Sequence, residues 1–458
     1  MTIAAGANAG LSEAAIAARI ERLPPSAWHL RMRFVFGAAT FFDAFDLITI
    51  ATILPTLVAL WKLDPAQTGW LIAAGFIGQA LGAVGFGYLA ERAGRMRAAT
   101  ISILIFATMS LLGALAGSYG ALVVIRFAQG IGLGGEVPIA ATYINEIARS
   151  HNRGRFFLLY ECVFLLGVAV CSMVGAFVVP RFGYFWMFIL GGVPALLVVP
   201  LRRYCPESPR WLASRGRLAE ADTSLSRIEA MIARTQALPP PDPASVPVAE
   251  RKGTSFGELF GARYRRRTLV LWTLWFCSYL LIYGEQTWLP TIYSTVYHLG
   301  VETALWLGTI ATAAALVSGV CCAVLIDRTG RRRWITAAFF IAAVPMVVLA
   351  CQAAPAVAET ATLATLGGCA IVTVTIILYL YTPELYPTRL RAFGTACATF
   401  WPRFASTVGS ALIGYILPVY GVRGVFVLFG LVAVSGWVAG LVGGAPETSE
   451  RLLEDISP

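Results

Sequence analysis

The sequence predicts an all-α membrane protein: twelve transmembrane helices in two pseudo-symmetric six-helix bundles. Three observations carry that expectation. Apolar residues make up 58% of the 458 and charged residues 13%, against roughly 25% charged in soluble proteins. The apolar residues fall into twelve runs, each near the ~20 residues that cross a bilayer. Motifs in the first half recur in the second at almost one offset. A soluble enzyme, a disordered chain and a collagen-like or disulfide scaffold are excluded by the same arithmetic.

The elements follow in chain order. Residues 1–33 carry Arg19, Arg22, Arg31 and Arg33 among apolar residues and no signal-peptide pattern. They are expected to form a cytoplasmic amphipathic segment, helical over 11–33. An N-terminal bundle, 34–203, holds spans at about 34–60, 68–90, 98–117, 120–147, 156–179 and 184–203. Residues 204–268 are polar and form a linker, helical over 207–235 and stopped by Pro239-Pro240-Pro241. A C-terminal bundle, 269–444, holds spans at about 269–296, 303–326, 333–352, 360–383, 393–418 and 422–444, and 445–458 form a tail.

Basic residues orient this layout. With both termini cytoplasmic, 30 of the 35 Lys and Arg lie on the cytoplasmic side and only Lys62, Arg181 and Arg423 on the other. The net charge of +10 is therefore a topological signal, and no nucleic-acid partner is expected. Nine scattered cysteines without a C-x-x-C pair and three separated histidines give no metal or cofactor site. Gly130-Ile-Gly132-Leu-Gly134-Gly135 lies inside an apolar span, where it reads as close helix packing and not as a dinucleotide loop. The lipid bilayer is the expected surround, and the chain is expected to act as a monomer.

The internal repeat is specific. Leu89–Arg97 after span two matches Leu325–Arg333 after span eight, 236 residues on. Glu146 and Arg153 after span four match Glu384 and Arg391, 238 on, and Pro206-Glu207-Ser208 matches Pro446-Glu447-Thr448, 240 on. Parallel halves of this kind mark one large class of secondary transporters. The pattern Gly87–Arg95, its echo at Asp327–Arg331, and Pro206-Glu207-Ser208-Pro209-Arg210 resemble the major facilitator superfamily, in its sugar-porter-like branch. Phe42-Asp43-Ala44-Phe45-Asp46 and Gly132–Pro138 resemble bacterial niacin (nicotinate) transporters and their organic-ion relatives. Sugar porters carry a Gln-Gln pair in span seven, where Glu285-Gln286 stands.

That resemblance implies an inner-membrane secondary transporter of a small organic carboxylate, nicotinate first, by alternating access and proton symport. A sugar, polyol or organic cation is the alternative cargo. A membrane enzyme would need a G-x-S-x-G, H-E-x-x-H, Walker or histidine constellation, and the sequence has none.

Ionisable residues within spans each cost at least ~2.5 kcal/mol unless paired or wetted, so they are candidates for function. They are Asp43, Asp46, Arg126, Glu136, Glu285 and Arg403. Asp43 and Asp46 share a helix face, and Asp46 sits near mid-membrane, where Arg126 of span four can pair with it. Sugar-porter relatives use an acid and an arginine at matching positions for proton coupling; a permanent structural pair is the alternative. Arg403 suits a carboxylate, as an arginine in this span does in organic-anion relatives; an ion pair with Glu384 or Glu285 is the alternative. Trp288, Tyr293, Tyr379, Tyr381 and Trp401 could wall a route for a flat ring, with Gln286 and Glu285 beside it; packing or interfacial belts are the alternative. Pro290 is expected to break or bend span seven. Arg95, Glu146, Arg153 and Glu207, mirrored by Arg331, Glu384, Arg391 and Glu447, are expected to form a cytoplasmic gate.

Overall fold

The computed structural model describes residues 12–24, 26–147, 153–241, 256–262, 264–352, 355–386, 388–443 and 447. Several side chains within helices, those of Arg153 and Arg391 among them, lie outside the described residues. Among the described residues there is no strand. The first five spans are Ala27–Trp61, Pro65–Ala93, Arg95–Gly113, Tyr119–Ile147 and Arg153–Phe182. Spans seven to ten are Arg265–Thr295, Val301–Thr329, Arg331–Cys351 and Val357–Glu384.

Spans eleven and twelve run together as Phe400–Val442, preceded by a short helix, Thr388–Ala398. At ~1.5 Å per residue those 43 residues would measure about 65 Å, twice the hydrocarbon thickness of about 30 Å. Gly421 (φ 62°, ψ −165°) breaks the helix and turns the chain back, so twelve spans result. Span six is irregular: helix over Phe185–Gly191, a 3-10 turn over Val193–Leu197, then helix over Val198–Tyr204. Pro194 and Pro200 interrupt its ladder, since neither can donate an amide hydrogen.

Local chemistry sets the span ends. Span two starts at a capping box: Asp64 Oδ1 accepts from the Gln67 amide at 2.7 Å, and the Asp64 amide donates to Gln67 Oε1 at 3.1 Å. Its far end is fixed by Gly94 at φ +105°, a backbone angle at which a side chain would be strained. Gly330, at φ +87°, does the same between spans eight and nine. Spans two and four press backbone to backbone: a Cβ at Gly130 would lie 2.1 Å from the Gly75 carbonyl oxygen, and one at Gly134 2.1 Å from that of Gln79. The glycine run is thus a helix-packing surface.

The N-terminal segment differs from expectation. It does not form one helix over 11–33: a helix over Glu13–Glu21 ends before the Pro24 region, and a new helix starts at Ala27 and becomes span one. The first helix buries Ile16 and Ile20 in a core shared with the linker helix Leu218–Ala233, through Leu225, Ile228 and Ile232. Ion pairs rim the contact: Arg19 to Asp222 (2.5 Å) and Glu229 (2.7 Å), Arg22 to Glu229 (2.6 Å), and Arg210 of the other linker helix, Pro209–Ser214, to Glu21 (2.9 Å). The amphipathic face is covered by protein.

Candidate functional site

Spans one, two, four, five, seven, ten and eleven line a central cavity of about 950 Å³. Asp43, Arg403, Gln286, Tyr379, Tyr279, Tyr283, Gln79 and Ser406 give it polar groups, and Phe76, Phe164 and Ile376 give it apolar wall. Arg403 reaches it from the first turn of span eleven. It is half-buried; Nη1 donates to the Thr399 carbonyl at 3.0 Å and Nε has no partner. Asp43 is 5% exposed, its Oδ1 has no partner, and it interacts electrostatically with Arg403, Asp46 and Glu136. Glu136 is 2% exposed, with one oxygen 3.4 Å from the Thr40 hydroxyl and the other unpartnered. Glu136 thus stands behind Thr40 and Asp43, which line the cavity, and does not line it itself.

Asp46 is fully buried and points away from that cavity. The expected direct pair with Arg126 is not what forms. Gln129 stands between them: Arg126 Nη1 donates to Gln129 Oε1 at 2.6 Å, and Gln129 Nε2 donates to Asp46 Oδ2 at 2.5 Å. Arg126 reaches only the Asp46 backbone carbonyl, at 3.4 Å, while the Ser110 hydroxyl lies 3.0 Å from Asp46 Oδ1. Gln129 was missed in the sequence. Its signal was the three-residue spacing from Arg126, which puts both on one helix face.

A second cavity of about 630 Å³ lies between spans one, five, seven, eight and ten, lined by Glu285, Gln286, Tyr293, Thr52, Thr312 and Thr365. Glu285 is 4% exposed with Oε1 unpartnered, and Gly368 gives it room, since a Cβ there would lie 2.7 Å from Oε2. Glu285 and Tyr293 thus belong to this second cavity, whereas Gln286 touches both. Trp288 and Trp401 line neither. Trp288 is buried, and Trp401 packs on Trp272 (5.2 Å between centroids) and Phe404 (5.8 Å). Tyr381 is buried too, and the aromatics that do face the cavity include Tyr279, whose hydroxyl donates to that of Tyr379 at 3.3 Å. Pro290 does not break span seven: the helix runs through it to Thr295.

The charged groups at the linker face keep, in their described contacts, to their own half. Arg95 pairs with Glu146 and Glu91, both at 2.9 Å. Arg331 Nε lies 3.7 Å from Glu384. Glu207 and Glu447 play matched parts that differ from a gate between halves. The Glu207 carboxylate accepts from the amides of Arg95 (2.8 Å) and Met96 (3.3 Å), capping span three. Glu447 accepts from those of Arg331 (2.8 Å), Arg332 (3.1 Å) and Arg333 (3.3 Å), capping span nine. Burial outweighs these donors at Glu207 and lifts its carboxyl above the usual glutamate range. The side chains of Arg153 and Arg391 lie outside the described residues.

At the opposite face the halves meet. A Cβ on Gly69 of span two would lie 2.8 Å from the Ser410 carbonyl oxygen, and one on Gly414 2.5 Å from that of Pro65. Trp70 Nε1 donates to the Tyr415 hydroxyl at 3.0 Å, and Arg181 pairs with Glu302 at 2.8 Å.

Residues 46–458 match the family described as "Sugar (and other) transporter". The chain is 35% identical to the niacin transporter NiaP of Acinetobacter baylyi over 96% of its own length and 99% of the relative's. It is 30% identical to the 4-hydroxybenzoate transporter PcaK of the same organism over 87% of each. The crystal structure of a D-xylose-proton symporter superposes with a TM-score of 0.71, at 19% identity, covering 93% of this chain and all of the other.

Proposed function

The chain belongs to the sugar (and other) transporter family of the major facilitator superfamily, and on that premise we propose that it carries a small aromatic carboxylate, nicotinate first, together with a proton. It is a multi-pass membrane transporter of small molecules; cargo and coupling are the proposal. One observation carries the cargo assignment: Arg403 offers an incompletely partnered guanidinium to a cavity walled by Tyr279, Tyr283, Tyr379 and Phe76. A guanidinium fork matches a carboxylate bidentately, and flat rings suit an aromatic acid. The relatives are named for niacin and 4-hydroxybenzoate, both of this class.

The linker face, rich in arginine, is the cytoplasmic one, with both termini there and the protein in the cell's inner membrane. Halves closed opposite the linker then describe an inward-facing arrangement. Rocking of the 34–203 bundle against the 269–444 bundle, as a monomer, would alternate access. Arg95, Glu146, Arg331 and Glu384, with Arg153 and Arg391, would clamp the cytoplasmic face when it closes, and Glu207 and Glu447 would hold the helix starts that carry them. Proton coupling falls to the span-one acids, Asp46 with Arg126 through Gln129, and Asp43 facing Arg403.

A thermal-shift panel of nicotinate, nicotinamide, benzoate, xylose and choline tests the cargo. Stabilisation by the two carboxylates supports the reading; stabilisation by xylose or choline alone refutes it. Arg403→Ala should cost the carboxylates far more than nicotinamide.

A further inference from the structure

The second cavity, of about 630 Å³, contains an acid that no basic side chain offsets. Glu285 is 4% exposed, and its Oε1 has no hydrogen-bond partner. Among the described residues no arginine, lysine or histidine lines this cavity or forms an ion pair with Glu285. The hydroxyls around it add to the imbalance. Thr52 of span one donates its O–H to the Thr49 carbonyl at 2.8 Å, Ser172 of span five to that of Val168 at 3.0 Å, and Thr312 of span eight to that of Thr309 at 3.0 Å. Each of these protons is committed to its own helix, so each oxygen has only lone pairs left for the cavity. The space is therefore walled by acceptors around one carboxyl, with no positive group to match them.

We infer that this cavity binds a monovalent cation, an alkali ion or the ammonium head of a small amine, with the Glu285 carboxylate as its counter-charge and the hydroxyl oxygens of Thr52, Ser172 and Thr312 as neutral ligands. A buried carboxylate without a counter-charge is too costly to persist, and one positive charge cancels it. A calcium-like ion would leave charge over and draws on several carboxylates as a rule. Alkali ions and ammonium groups both seek oxygen lone pairs, which is what these hydroxyls present. The position of the cavity gives the cation a task. Pro290 and Tyr293 lie near the end of span seven and Leu305 near the start of span eight, so the cavity sits towards the face opposite the linker, where the halves meet. Thr52 and Ser172 belong to the N-terminal bundle, Glu285 and Thr312 to the C-terminal one. A bound cation ties the halves together at that face, and parting them there takes its ligand set apart. Ile282 and Gln286, on the same face of span seven as Glu285, line both cavities, so the cation site shares a wall with the central one. The inference rests neither on the cargo carried nor on the span-one acids.

The test is thermal unfolding of the purified full-length protein at neutral pH and constant ionic strength, with N-methylglucamine chloride exchanged stepwise for sodium, potassium or methylammonium chloride. A ligand that binds only the folded chain raises Tm with its concentration. The wild-type Tm should rise saturably, by a few degrees, with at least one of the three salts, and the alkali ions against methylammonium tell a metal ion from an amine head. Glu285→Gln keeps the shape of the side chain, places an amide where sugar porters carry one, and should fold with a Tm that none of the three salts moves. Should that variant fail to fold, Thr312→Val removes one lining oxygen and should raise the apparent Kd of the cation several-fold. A wild-type Tm flat with all three salts overturns the inference whatever the variants do. So does an equal rise in Glu285→Gln, which would place the cation elsewhere, or, where that variant does not fold, an unchanged Kd in Thr312→Val.

Discussion

Gly69→Ala should tip the transporter away from the arrangement described here. The added Cβ would lie 2.8 Å from the Ser410 carbonyl oxygen, 3.4 Å from Gly414 Cα and 3.5 Å from Ala411 Cα. All three are backbone atoms, so relief requires the two halves to part at the face opposite the linker. Overpacking of this kind costs about 1–3 kcal/mol. Alanine's helix-propensity gain cancels, because span two is helical in both arrangements. At ~1.4 kcal/mol per tenfold, the equilibrium should move about 5- to 150-fold towards the arrangement open at that face. A cysteine at buried Thr52, on the second cavity, in a background without the nine native cysteines, reports the change. Its labelling by an impermeant maleimide from that face should accelerate at least several-fold. Gly85→Ala, also in span two but with no atom within 4 Å of its Cβ, should leave the rate unchanged. Equal rates in a folded Gly69→Ala protein would show that this contact does not close the face.

Four further outcomes follow from the same structure. Arg403→Ala should weaken nicotinate binding by about tenfold or more, as loss of a charge-assisted hydrogen bond of about 1.5–3 kcal/mol implies, while nicotinamide changes little; equal losses in a binding titration would make Arg403 structural. Gln129→Leu strands Arg126 and one Asp46 oxygen and should lower thermal stability by about 1–3 kcal/mol, with an unchanged Tm counting against the bridge. Gly94→Ala meets both a φ of +105° and a Glu207 oxygen 2.2 Å from the new Cβ, so it should cost more than the about 1 kcal/mol of a typical point mutation; wild-type Tm would refute the cap. Burial opposes the Glu229 anion, but hydrogen bonds from Arg19 and Arg22 outweigh it and hold that carboxyl below its usual range. The clasp of the N-terminal helix is therefore fully present above the ordinary value of about 4.3 and is lost as pH falls through the lowered one; hydrogen exchange at Ile16–Ile20 should rise there, and in Glu229→Gln at neutral pH.

The spans and their pairing were legible in the sequence because each rests on run length or on a repeated motif: Gly94 and Gly330 recur, and so do Glu207 and Glu447. Which side chain faces the cavity was not. A span is apolar on its lipid side and on its protein side alike, so periodicity does not report its rotation. That is why Trp288 and Trp401 were expected at the route while Tyr279 and Tyr283 were overlooked. Arg403, Asp43 and Asp46 stood out because a charge in a membrane is conspicuous. Gln129 did not, since a neutral amide in a glycine-rich helix carries no such alarm. The docking of Glu13–Glu21 was hidden for another reason: its partner surface begins about two hundred residues later.

The single-residue turn at Gly421 has a consequence for what the face opposite the linker presents. On the face opposite the linker, spans one and two are joined by residues 62–64, spans three and four by 114–118, spans five and six by 183–184, spans seven and eight by 296–300, spans nine and ten by 352–356, and spans eleven and twelve by Gly421 alone. Connections that short offer an antibody, a protease or another protein approaching that face little backbone to grip. Recognition at that face is thereby left to the mouth of the cavity, and an inhibitor acting from that side would have to compete there as a decoy for the cargo.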